Sequence, residues 1–130
     1  MAVYFLDTNI LIDWVGEKQS ADFFREHLSI ETQLATGIVC LTEFLVKASK
    51  HEEQLILKLI ESEELEVCYF DDLEIAKSAA KLRKEVGVKL PDALILAMAI
   101  RLEAHLLTCD QNLLKKSRGL LKASDPTKNS

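Results

Sequence analysis

The sequence lacks what a membrane, secreted or nucleic-acid-coating protein would need. Its longest unbroken apolar run, Ala93 to Ile100, is eight residues, against the roughly 20 of a membrane-spanning helix. Its opening, Met1 to Asp7, has no basic leader and meets a carboxylate early, so no signal peptide is expected. Cysteines are few: Cys40, Cys68 and Cys109 are odd in number and far apart, which excludes a disulfide framework. No CxxC or paired Cys/His spacing offers a zinc site. Each cysteine stands among apolar residues and is expected as a buried thiol in a reducing compartment, which predicts a cytoplasmic protein. Basic charge is not in excess either: 16 basic against 21 acidic side chains give a net charge of −5. That argues against a generic DNA-coating protein, whose affinity needs a basic surface. A nucleic-acid enzyme stays open, because bound metal ions reverse the sign of an acidic site.

What is present is an ordinary globular mixture, 48% apolar and 28% charged over 130 residues. A chain of this length makes one domain with a real core, expected over residues 1–125, with 126–130 as a frayed tail. No internal repeat or low-complexity segment interrupts it. Ala2 to Leu6 is a short apolar run, a strand, and Asp7-Thr8-Asn9 after it are all residues that cap helices. Ile10, Leu11, Trp14 and Val15 recur at helical spacing up to Gly16. Ser20 opens a second helix with the stripe Phe23, Phe24, His27 and Leu28. Leu34 to Ile38 reads as a strand, Val39 to Ser49 as a helix, Leu55 to Ile60 as a helix and Leu65 to Phe70 as a strand. Asp72 caps a long helix ended by Gly87, and Pro91 suits the first turn of the next, which is apolar all round. His105 to Cys109 is a strand, Leu113 to Lys116 a short helix and Gly119 to Ala123 an edge strand. Strands separated by one or two helices imply parallel crossovers. The expected fold is therefore an α/β, three-layer α/β/α sandwich with a parallel sheet of four or five strands, whose ligands bind outside the carboxyl ends of the strands.

Two acids follow the best strands directly: Asp7 after Val3 to Leu6, and Asp110 after Leu106 to Cys109. Glu43 sits in an otherwise apolar helix, and Asp92 opens the most apolar one. Each has a purely local alternative. Asp7 can cap the helix it precedes, Asp92 can serve the amides of its own helix, Asp110 can make a turn, and Glu43 can pair with Lys47 one turn on. The set of four is what points to a site, since carboxylates in apolar settings need partners.

These residues carry a resemblance. Phe5-Leu6-Asp7-Thr8-Asn9-Ile10-Leu11, Thr42-Glu43, Leu90-Pro91-Asp92-Ala93 and Leu106-Leu107-Thr108-Cys109-Asp110 resemble, in order and spacing, the acidic motifs of PIN-domain proteins. That family of metal-dependent ribonucleases includes the toxins of VapBC-type toxin–antitoxin pairs. Asn112 departs from the pattern, where another Asp often stands. The resemblance implies endonucleolytic cleavage of RNA leaving 5′-phosphate and 3′-hydroxyl ends. Hard cations, Mg²⁺ or Mn²⁺, prefer carboxylate oxygens and can activate water while offsetting charge on the phosphate. Asp7, Asp92 and Asp110 are then the expected principal metal site and Glu43 part of a second, with Thr8, Asn9, Thr108 and Asn112 orienting ligands or substrate. The resemblance also implies a homodimer held inactive by a small antitoxin, for which Trp14, Phe23, Phe24 and Leu28 could line an apolar groove.

Charge is unevenly spread: residues 1–76 carry a net −11 and residues 77–130 a net +6. Lys84 and Lys89 before Asp92, and Lys115 and Lys116 after Asp110, are candidate phosphate contacts, against the alternative of solvated helix faces. A phosphoacceptor receiver domain fits poorly, wanting an acidic pair after the first strand and a lysine after the last. A dehalogenase-like phosphatase wants Asp-x-Asp where this chain has Asp7-Thr8-Asn9. A housekeeping RNA-processing nuclease and a PIN fold kept for protein interaction remain as alternatives.

Overall fold

Phe5 and Leu6 close the first strand, β1 (Ala2–Leu6), and both are fully shielded from water. Neighbouring residues of a strand face opposite sides, so their joint burial requires cover on both faces of the sheet. The computed structural model, which describes residues 2–69 and 72–128, provides that cover. After β1 come α1 (Thr8–Val15), α2 (Ala21–His27), β2 (Thr32–Gly37), α3 (Ile38–Lys47), α4 (Lys50–Glu61) and β3 (Leu65–Cys68). They are followed by α5 (Leu73–Val86), α6 (Leu90–Arg101), β4 (His105–Leu107), α7 (Gln111–Lys116) and β5 (Ala123–Ser124). The strands form one parallel sheet in the order β3-β2-β1-β4-β5, the expected three-layer α/β/α arrangement with five strands. From β1 the chain builds outward through β2 to β3, then α5 and α6 carry it back to the other side of β1. The strand order therefore reverses between β1 and β4, and their carboxyl ends flank the crevice.

Local chemistry explains where the elements start and stop. Asp7 caps α1, and Asp72 caps α5 by accepting from the Glu74 amide. Ser49 and Glu52 make a reciprocal capping box at the start of α4. Gly87, at φ +80°, supplies the left-handed turn that ends α5. Gly37 ends β2 and begins α3 tight against the sheet: a Cβ there would meet the Phe5 ring at 3.2 Å. α5 lies along α6, while α1 packs against α2, α3 and α4. No helix among the described residues is long and apolar enough to cross a membrane.

Several expectations need correction. β2 begins at Thr32, earlier than the apolar run, and Ile38 is already helical. Gly119, at φ +81°, lies in a turn, so the last strand is the two residues Ala123–Ser124. β4 stops at Leu107 and Thr108 is the last shielded residue, which leaves the Cys109 thiol exposed; Cys68 is half-buried and Cys40 alone is enclosed. Ser20 does not cap α2; its amide and hydroxyl both donate to the Asp13 carboxylate instead. Phe70, placed in a strand by sequence, lies outside the described residues. Of the tail, Pro126 is buried and the Thr127 amide donates to Asp125, while Asn129 and Ser130 are also outside them.

His105 joins β4 to β5 through a 2.8 Å hydrogen bond to Ser124 Oγ and leans on Tyr4 of β1. Burial, with the nearby charges of Lys122 and His27 adding to it, pushes its pKa below the ordinary histidine value. The unfolded chain therefore takes up this proton first. The stability is complete above the ordinary histidine range and is lost as pH falls through the lowered folded value. Urea midpoints measured from pH 8 to pH 5 should fall more steeply for the wild type than for His105→Gln; parallel curves would refute this.

Candidate active site

Asp7 follows the last residue of β1 and extends that strand's pairing, its amide donating to Leu107 O at 3.0 Å. Its carboxylate is almost fully buried, a costly position that demands donors. Oδ1 accepts from the Thr8 amide at 2.8 Å and lies 3.9 Å from Cys40 Sγ. Oδ2 accepts from Thr108 Oγ1 at 2.7 Å and from Asn9 Nδ2 at 3.2 Å. The capping duty is real, but it occupies one oxygen; the other is held by residues from the far end of the chain. Burial, and secondarily the charge of Asp7, pushes the Cys40 thiol up to about 12. It stays protonated, a donor rather than a nucleophile. Sequence carries no sign of this contact, because the two residues meet only when α3 packs beside β1.

Asp110 caps α7, its Oδ1 accepting from the amides of Asn112 at 2.9 Å and Leu113 at 3.1 Å. Its own amide donates to Thr108 Oγ1 at 3.1 Å. The Thr108 hydroxyl thus gives its proton to Asp7 and accepts from the backbone of Asp110, linking the two acids. The Asn112 side chain is exposed and enters the site only through its amide.

Asp92 stands half-buried in the first turn of α6, where the helix has no side-chain cap, and its carboxylate accepts no hydrogen bond among the described residues. Hydrogen bonding to the amides of its own helix therefore does not account for it. Burial raises its pKa first, then the charges of Asp7 and Asp110; Lys89 opposes the shift and Glu43 adds to it. One carboxyl group thus lies in the field of the other three acids. Glu43 is exposed on α3, whose buried face is Cys40, Leu41 and Phe44, and forms no ion pair with Lys47 among the described residues.

The basic candidates separate by position. Lys89 immediately precedes α6, and Lys84 lies in the last turn of α5, whose end leads to the same edge. Lys115 and Lys116 lie in the last turn of α7, about 1.5 Å further from its capped end per residue. The expected groove residues mostly serve the core. Phe24 is buried against Trp14, Phe23 stacks on His27 with centroids 4.0 Å apart, and Leu28 is exposed. Trp14 lines an open groove of about 600 Å³ between α1 and α4, and Phe23 lines a separate one of about 610 Å³ between α2 and the residues after β5.

The donor chemistry suits a hard cation: the acids offer oxygen only and, among the described residues, Asp92 has no hydrogen-bond partner and the buried Thr8 Oγ1 beside Asp7 has none either. Among the described residues, however, no three His, Cys, Asp or Glu side chains already stand close enough together to hold an ion.

This edge can be placed among known proteins. A model of the PIN domain matches residues 4–119. The chain belongs to the PIN-domain family. Its fold is similar to that of a toxin–antitoxin complex from Klebsiella pneumoniae, at 28% identity over 97% of this chain and 98% of that one, with a TM-score of 0.73. VapBC2 from Rickettsia felis, solved bound to a DNA fragment from its promoter, is 26% identical over 95% and 98% of the two chains, TM-score 0.71. VapBC-1 from nontypeable Haemophilus influenzae shares the fold at 24% identity over 97% and 99%, TM-score 0.71. No curated protein gives a significant match. In this PIN domain all four acids sought by sequence are mutually sensed at Asp92. Replacing Asp92 by Asn should then relieve repulsion and leave the metal-free melting temperature unchanged or higher. A clear drop in the thermal midpoint would instead make Asp92 a structural helix-terminus residue.

Proposed function

We propose that this PIN domain is a metal-dependent endoribonuclease and serves as the toxin of a toxin–antitoxin pair. The observation that carries the proposal is Asp92: a half-buried carboxylate with no hydrogen-bond partner among the described residues, facing Asp7, Asp110 and Glu43 at the crevice of the sheet. Asp7, Asp92 and Asp110 would hold the principal ion, Mg²⁺ or Mn²⁺, and Glu43 would share in a second. Such an ion supplies an activated water and offsets charge on the attacked phosphodiester. The chain's own groups do the rest. Thr108, Asn9 and the Thr8 amide hold the Asp7 carboxylate turned by donating to it. The buried Thr8 hydroxyl has no hydrogen-bond partner among the described residues, and Asn112 completes the α7 cap. Lys89 and Lys84 flank the acids as phosphate contacts, with Lys115 and Lys116 reaching RNA further from the scissile bond.

The toxin role is supported by the similar structures, which include a toxin–antitoxin complex and VapBC2. With it come a cognate antitoxin, a homodimer, a cytoplasmic setting, a single domain over residues 1–125, and RNA cut to 5′-phosphate and 3′-hydroxyl ends. One observation favours a second reading, a PIN fold retained for protein interaction: the absence of a preformed three-ligand group among the described residues.

Purified protein should cut RNA in Mg²⁺ or Mn²⁺, lose that activity in excess EDTA, and lose it in Asp7→Asn. Cleavage indifferent to EDTA would remove the metal mechanism, and no cleavage under any metal would favour the interaction module. In the same assay Lys89→Gln or Lys84→Gln should weaken RNA binding and flatten its salt dependence, with the slope of log affinity against log salt falling by about 0.7–0.9 per lost phosphate contact.

A further inference from the structure

The Asn9 carboxamide has three polar contacts, and they span the chain. Nδ2 donates to Asp7 Oδ2 at 3.2 Å and points also at Thr108 Oγ1, 3.4 Å away. Oδ1 accepts from the backbone amide of Cys109 at 3.0 Å. One side of the group therefore belongs to the turn that carries Asp7 and the other to the turn that carries Asp110. The orientation of the amide is dictated by its neighbours, since reversing it would set oxygen against the Asp7 carboxylate and NH₂ against the Cys109 N–H.

We infer that Asn9 is a positioning residue that clasps the β1–α1 turn to the β4–α7 turn and so sets the separation of the Asp7 and Asp110 carboxylates before any cation binds. This rests on the reading of that edge as a metal site. The polar groups of Asn9 are turned inward, the oxygen to Cys109 and the donors to Asp7 and Thr108, so its role is to position the two turns. Asparagine meets the requirement through a donor and an acceptor on one short planar group. Aspartate cannot donate and would place a second carboxylate against Asp7; an alkyl side chain would leave the Cys109 amide and one side of Asp7 without a partner. Thr108 makes the parallel link, from Asp7 to the Asp110 amide, so the two turns are joined twice. The clasp acts on the spacing of ligands, which governs cation affinity and the chemical step, and not on the grip for RNA.

The experiment measures Mn²⁺ affinity calorimetrically on RNA-free protein, with kcat and KM for RNA cleavage alongside. The proteins are the wild type, Asn9→Ala, and Thr36→Val as a control. Thr36 Oγ1 donates to Leu6 O at 2.7 Å, a buried hydrogen bond beside the site that touches none of the four acids. Asn9→Ala should bind Mn²⁺ about 10- to 100-fold more weakly, with kcat lowered and KM unchanged. Thr36→Val should lower the melting temperature and leave Mn²⁺ affinity intact. Mn²⁺ affinity in Asn9→Ala equal to wild type, whatever its melting temperature, overturns the role given to Asn9. Should Asn9→Ala not fold, Asn9→Ser, which lacks the reach to Cys109, carries the same expectation and the same refutation. A wild type that takes up no Mn²⁺ overturns the metal-site reading itself, a separate failure.

Discussion

A carboxylate buried at the end of the central strand is the constraint around which this molecule is organised. Asp7 leaves water at the point where β1 stops, and a charge in that position is tolerable only if donors surround it. They come from four places: the Thr8 amide, the Asn9 side chain, the Cys40 thiol of α3 and the Thr108 hydroxyl after β4. Each donor is held by an element of the fold. Satisfying one side chain thus couples the first strand to the first helix, to α3 and to the fourth strand.

The same arrangement sets up an electrostatic tension. Asp7 and Asp110 each meet a helix N-terminus, which offsets part of their charge. Asp92 stands in the first turn of α6 but accepts no hydrogen bond among the described residues, and burial before three other acids raises its pKa, with Lys89 as the opposing charge. A site built this way gives up some stability for readiness. On the proposed reading a bound cation would relieve that repulsion, which would link metal binding to the stability of the protein.

The basic and acidic parts of the surface follow the same division. The acids converge on the crevice between β1 and β4, while Lys84 and Lys89 come from the α5–α6 passage that brings the chain back across the sheet. An overall negative charge is therefore no obstacle to a polyanionic substrate. For such a substrate the field at the bound phosphate would matter, and any cation there and nearby lysines would set it locally.

The fold and the placement of two acids directly after strands were legible in the chain because their signals are local. Ala2–Leu6 is too apolar for a one-sided strand, α6 too apolar for a surface helix, and Asp7 and Asp110 stand directly after strands. Strand ends were less legible: Gly37 stops β2 and Gly119 turns the chain through close approach and backbone conformation, which hydropathy does not report. Cys109 was misjudged for the same reason, since one residue past the end of β4 separates the interior from water. Sequence by itself determined the order of elements, the parallel crossover pattern and the edge at which the acids gather, all consequences of hydropathy period and residue spacing. Only the tertiary structure decided what those acids touch. The Cys40 and Thr108 contacts to Asp7, the Asn9 clasp to Cys109 and the unpartnered state of Asp92 depend on strands and helices distant in sequence packing within a few ångströms, and a hydrogen bond exists only at that distance.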